Sequence, residues 1–101
     1  DRFGAACAGA LTSLVEQSLA RAGYQVSRNA PYAGGFVASA YGRPTSGVHV
    51  LQIEINRALY LDESQFARTQ GFADLKRALS SLIAELSRIQ FSALRPAQAA
   101  E

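Results

Sequence analysis

The stretch GVHVLQIEINRALY, Gly47 to Tyr60, begins as a buried strand and ends as something else. Val48, Val50, Leu51, Ile53 and Ile55 are apolar and mostly β-branched, yet Glu54 stands between two isoleucines, and Asn56 and Arg57 follow at once. Side chains of a strand alternate between its faces. The odd positions His49, Leu51, Ile53 and Ile55 give a face that is apolar through its middle. The even positions start apolar at Val48 and Val50 and turn polar at Gln52, Glu54 and Asn56. Glu54 therefore does not share a face with its isoleucine neighbours. In open α/β sheets ligands bind beyond the carboxyl ends of strands, and the polar part of this run is its carboxyl end.

The segments around the run predict helices and a second strand. From Ala8 to Ala22, Leu11, Leu14, Val15, Leu19 and Ala22 recur at helical spacing, and Gly23 supplies a stop. Tyr24–Arg28 (YQVSR) then reads as a short strand, with loop punctuation at NAPYAGG. Phe36–Gly42 (FVASAYG) fits a helix or a strand, and the glycine pair Gly34-Gly35 before it favours a short helix. Arg43–Gly47 (RPTSG) is a loop fixed by Pro44 and Gly47. Beyond the run, Leu61–Gly71 reads as a polar connection with a helical turn from Asp62. The last helix carries Phe72, Leu75, Leu79, Leu82, Leu86 and Ile89 at steps of three and four, with Ile83 beside them. Asp74 near its start and Arg88 near its end complement the helix dipole. After Pro96 the chain is expected to fray.

Bulk properties narrow the class. The 101 residues are 49% apolar, enough for one small core. The net charge of +2 is spread over nine arginines and Lys76, with no basic cluster dense enough for nucleic acid and no apolar stretch long enough for a membrane span. One cysteine, Cys7, excludes an internal disulfide and fits a reducing, cytoplasmic setting. The chain opens on Asp1 and has no methionine, which reads equally as a piece of a longer protein or a processed one.

The chemical candidates are few. Glu54 is either a solvent-facing carboxylate, one paired with Arg57, or a general base or metal-site carboxylate clustered with Gln52 and Asn56. His49 is the only histidine, so no histidine-based metal site can be assembled from this chain alone, and a structural role fits it better. Cys7, in an alanine-rich helix start, reads as a small buried thiol. Gly34-Gly35 matches neither phosphate-binding glycine pattern. Arg43 and Arg57 are each able to hold a carboxylate bidentately. From the residues alone, the result is an α/β segment with one suspicious carboxylate.

The order NAPYAGG, AYGRP and GVHVLQIEINRALY resembles the C-terminal part of N-formylglutamate amidohydrolases, as do DRFG at the start and GYQVSRN before the glycine pair. The similarity runs from Asp1 to about Glu63. It implies a mixed sheet flanked by helices, like that of zinc carboxypeptidases and aspartoacylase (phosphorylase/hydrolase-like), of which residues 1–101 would be the C-terminal segment of a single domain. The implied reaction is hydrolysis of N-formyl-L-glutamate to formate and L-glutamate in histidine degradation. In that architecture two histidines and a glutamate hold a catalytic zinc, from segments upstream of this one. The resemblance assigns Glu54, in QIEI, as the carboxylate that faces the water activated by zinc. Zinc lowers the pKa of water from about 16 toward about 7, and proton transfer by a placed carboxylate contributes about 10²- to 10⁴-fold in rate.

An anionic substrate needs cationic or amide partners, so Arg57, Asn29, Arg43 and Tyr60 are the candidate substrate contacts. Ser39 and Ala40 stand where relatives often carry bulkier polar residues, which bears on substrate identity. The expected partners are a small N-acyl amino acid and the remainder of the same enzyme, with no nucleic acid and no membrane. The chain by itself is expected to be inactive and without zinc. Two alternatives stay open: a zinc amidase for another N-acyl amino acid, and a non-catalytic binding or assembly module.

Overall fold

The computed structural model describes residues 1–94. The frayed end expected after Pro96 lies outside them. The described residues divide into two compact units, Asp1–Gln52 with 89–94, and Ile53–Arg88. Among the described residues the elements are helices and one two-stranded sheet, in line with a mixed α/β composition.

In the first unit, α1 spans Gly9–Arg21, close to the predicted limits. It buries Thr12, Val15 and Leu19, one helical face. Its end is a Schellman motif: Gly23 at φ 98 donates its N–H to Ala20 O at 3.0 Å, and Tyr24 N–H reaches Leu19 O at 3.1 Å. Gly23 thus stops the helix as its conformational freedom predicts. The short helix favoured after the glycine pair is present as α2, Phe36–Tyr41. Gly42 closes it beside Ala6 and Ala38, and these small residues pack with Cys7, Ala8, Val15 and Leu19 into the buried core of the unit. The only buried polar residue of that core among the described residues, Thr12, donates its hydroxyl to Asp1 Oδ2 at 2.9 Å. The turn Phe91–Leu94 returns to α1.

Two predicted strands are not formed as such. Tyr24–Arg28 joins no ladder; Arg28 instead pairs its guanidinium with Glu16 on α1, and Ser27 closes a turn onto Ala30 O at 2.8 Å. Of Val48–Asn56, only Val48 is bridged, to Arg43 across the Pro44–Ser46 3-10 turn, with N–H···O distances of 2.8 and 3.1 Å. Val50 N–H goes to Ala6 O at 2.8 Å, and among the described residues no strand pairs with 49–56. The apolar pattern is present, but a ladder needs a neighbouring edge to satisfy the other backbone groups. Ile53 and Ile55 remain exposed accordingly.

The second unit differs from its prediction at its middle. Residues 61–68 form a hairpin, β1 Leu61–Asp62 paired antiparallel with β2 Ala67–Arg68, in place of a helical turn. Asp62 has the right chemistry for either outcome, because its side chain bonds nearby backbone. Here Oδ1 accepts from Ser64 N at 3.0 Å, Ser64 Oγ at 2.6 Å and Gln65 N at 3.4 Å, which folds the loop back toward β2. The last helix, α3, spans Gln70–Leu86 and buries Leu75 and Leu82. Ile89 lies past its end and Ile83 is exposed, so the predicted stripe is longer and wider than the buried one. Neither Asp74 nor Arg88 sits in a terminal turn: Asp74 pairs with Arg77 on the exposed face, and Arg88 follows the cap residue Ser87.

Candidate active site

The polar end of the central run leads into a tight 3-10 turn at Arg57–Leu59. Asn56 caps it: its Oδ1 accepts from Ala58 N–H at 3.0 Å while its carbonyl accepts from Leu59 N–H at 3.0 Å. Asparagine suits this place because a short side-chain carbonyl mimics a turn of backbone. Asn56, expected to cluster with Glu54, is therefore committed to backbone. Arg57 opens the turn with its side chain exposed, and Tyr60 closes it, its N–H reaching Arg57 O at 3.2 Å. Glu54, just before the turn, is exposed.

Tyr60 is half-buried because its ring meets Phe72 on α3, edge to face, with centroids 6.2 Å apart. The guanidinium of Arg68, on β2, lies 4.2 Å from the Phe72 ring centroid, the geometry of a cation–π contact. The carbonyl of Tyr60 accepts from Thr69 N–H at 3.1 Å. Gly71 comes so close to Leu59 that a Cβ there would stand 1.9 Å from the Leu59 carbonyl oxygen. Three of these contacts, Tyr60 with Phe72, Tyr60 with Thr69 and Leu59 with Gly71, thus bind the Arg57–Tyr60 turn to the start of α3. The sequence offers one signal for them, a glycine at a helix start where a better helix former would be expected.

The other candidates belong to the first unit. Asn29, at φ 61, accepts at Oδ1 from Phe3 N at 3.2 Å and from Asp1 N at 3.4 Å, which ties this loop down. Arg43 makes the backbone bridge to Val48 and is exposed. Gln52 accepts at Oε1 from Gly35 N–H at 2.9 Å, a contact between the glycine pair and the central run that its sequence position beside Glu54 does not announce. His49 is structural, as its pattern suggests: Nδ1 accepts from Ala8 N–H at 3.1 Å at the entrance of α1, which puts the proton of a neutral ring on Nε2. Cys7 is fully buried.

Among the described residues no three His, Cys, Asp or Glu side chains gather to hold a metal ion, so the described residues do not by themselves make a zinc centre. The Asp62 carboxylate sits in the hairpin loop, bonded to Ser64 and Gln65. The Ser64 hydroxyl holds its carboxyl below the usual 3.8, against a smaller desolvation effect and with help from the Ser64 and Gln65 amides. No helix among the described residues is long and apolar enough to cross a membrane.

Comparison with known proteins places the segment. The sequence profile of the N-formylglutamate amidohydrolase family matches residues 1–61. The N-formylglutamate deformylase of Pseudomonas aeruginosa is 38% identical over 85 residues, 82% of this chain and 31% of that protein. The crystal structure of N-formylglutamate amidohydrolase from Ralstonia eutropha JMP134 is similar with a TM-score of 0.79 at 45% identity, over 87% of this chain and 32% of that one. The chain spans about a third of the length of these relatives. With matches of this extent to a profile, a sequence and a solved structure, the chain belongs to the N-formylglutamate amidohydrolase family.

Proposed function

We propose that the intact protein hydrolyses N-formyl-L-glutamate to formate and L-glutamate, a step of histidine degradation in the cytoplasm, and that residues 1–101 are the C-terminal segment of its single carboxypeptidase-like domain. The observation that carries this reading is the family match over residues 1–61, which takes in Glu54, together with the names of the relatives. Glu54 acts as the proton carrier. It accepts a proton from the water that adds to the formyl carbon, then delivers that proton to the nitrogen as the C–N bond breaks, so that formate and the free amine leave. A carboxylate does this best when partly desolvated. Glu54 is exposed here, and the covering walls belong to the remaining two thirds of the enzyme on this reading.

Zinc, when bound, would supply Lewis-acid activation, and its ligands are proposed to come from segments outside this one, since no set of three metal-ligating side chains gathers among the described residues. Arg57, Arg43, Asn29 and Tyr60 are proposed to meet the substrate's carboxylates and amide. Arg57 is the strongest of these, since its guanidinium is exposed on a rigid turn. The test is Glu54→Gln in the complete enzyme. Turnover of N-formyl-L-glutamate should fall at least about a hundredfold, with metal content unchanged. Near-normal turnover removes Glu54 from the chemistry.

A further inference from the structure

We infer that Gly71, at the start of α3, is a positioning residue for substrate binding, acting through the Arg57–Tyr60 turn. The inference rests on the proposed reading in which Arg57 and Tyr60 meet the substrate. It concerns a part of the chain beyond the family match, which ends at residue 61.

The turn is internally stiff. Its backbone is closed by Leu59 N–H on Asn56 O, Tyr60 N–H on Arg57 O and the Asn56 side chain on Ala58 N–H. A body held this way moves as one piece when pushed at one point. The push would come at Leu59. A Cβ on Gly71 would lie 1.9 Å from the Leu59 oxygen and 3.1 Å from its carbonyl carbon. Those are backbone atoms and cannot rotate aside, so the whole turn must shift by about 1 Å or more to restore ordinary contact distance. Arg57 and Tyr60 flank Leu59 and would travel with it.

The same turn is also held through a side chain. Phe72, the residue after Gly71, receives the Tyr60 ring on one side and the Arg68 guanidinium at 4.2 Å. Glycine at position 71 lets the turn sit close enough for this stack to form, and the stack keeps it there. A guanidinium that is to grip a carboxylate with two parallel hydrogen bonds tolerates little displacement. Misplacing a binding group by about 1 Å costs up to about a hundredfold.

The test uses the complete enzyme with N-formyl-L-glutamate. Gly71→Ala should raise KM about tenfold or more while kcat changes much less. General destabilisation lowers the active fraction, hence apparent kcat, and leaves KM alone, so the split separates positioning from mere structure. Phe72→Leu loosens the turn without inserting atoms, and it serves if Gly71→Ala does not fold; KM should rise about threefold or more. A folded Gly71→Ala with unchanged KM, or a loss confined to kcat, overturns the inference while the proposed function stands. An unchanged KM in Phe72→Leu does the same. Absence of deformylase activity in the unsubstituted enzyme overturns the proposed function and this inference together.

Discussion

Replacing Gly42 with alanine probes the packing of the first unit with few confounding effects. Gly42 has φ −67, an angle open to any L residue, so backbone strain plays no part. A Cβ at this position would stand 2.6 Å from Ala6 Cβ, 2.7 Å from Ala6 Cα and 2.7 Å from the Ala38 carbonyl oxygen. Carbon atoms in contact rest about 3.5–4.0 Å apart, so the methyl overlaps its neighbours by about 1 Å. Neither neighbour can swing away: Ala6 and Ala38 are both 1% exposed and have no rotatable side chain. Overpacking costs about 1–3 kcal/mol, and the reduced freedom of the unfolded chain offsets about 0.4–1 kcal/mol of it. With overlap against fixed atoms the upper part of that range applies, leaving a net loss of about 2 kcal/mol. In the complete enzyme this lowers the thermal midpoint by about 4–8 °C, read by far-ultraviolet circular dichroism. Adding Ala6→Gly removes one of the three overlaps and should recover part of the loss, a coupling visible in the double-mutant cycle. Gly9→Ala is the control, since a Cβ there meets nothing within 4 Å and alanine favours the helix. An unchanged midpoint in Gly42→Ala would refute the close approach of Ala6, Ala38 and Gly42.

Three further outcomes follow from single contacts. His49→Ala removes the acceptor for Ala8 N–H and should cost about 1 kcal/mol in chemical denaturation, with kcat unchanged, because the ring serves the helix entrance and not the reaction. Gln52→Ala should speed amide exchange at Gly35, whereas Gln52→Glu keeps the accepting oxygen and should not; equal rates in the two variants would show that the hydrogen bond is not formed. The carboxyl of Asp62 should titrate below 3.8 by carbon NMR and move back toward it in Ser64→Ala. Its folded value is the lower one, so the hairpin is stabilised above 3.8 and loses that contribution as pH falls through the depressed value; a rise in stability on acidification across that window would contradict it.

What the sequence reveals depends on how far apart the interacting residues lie. The helices α1, α2 and α3 and the stop at Gly23 rest on spacing within a few residues, and they are found where the pattern puts them. Strands are decided by partners. Val48–Asn56 carries strand chemistry but pairs only at Val48, and the hairpin at 61–68 forms from residues whose composition is merely polar. Glu54 is conspicuous because a carboxylate interrupts an apolar run, a signal carried by its neighbours alone. Gln52 gives no such signal, and Gly71 only that of a glycine at a helix start: one bonds Gly35 and the other touches Leu59, contacts that exist only once the chain has turned back. Asn56 was legible as polar yet not as a cap, since the same amide serves a cluster or a turn equally well.

The seclusion of Cys7 makes it a clock. Its sulfur is sealed at 0% exposure, so no thiol reagent reaches it until the surrounding helix start and alanine layer part. The rate at which such a reagent consumes the thiol therefore times the breathing of that region, and in the regime where opening equilibrates before labelling it reports the free energy of the excursion.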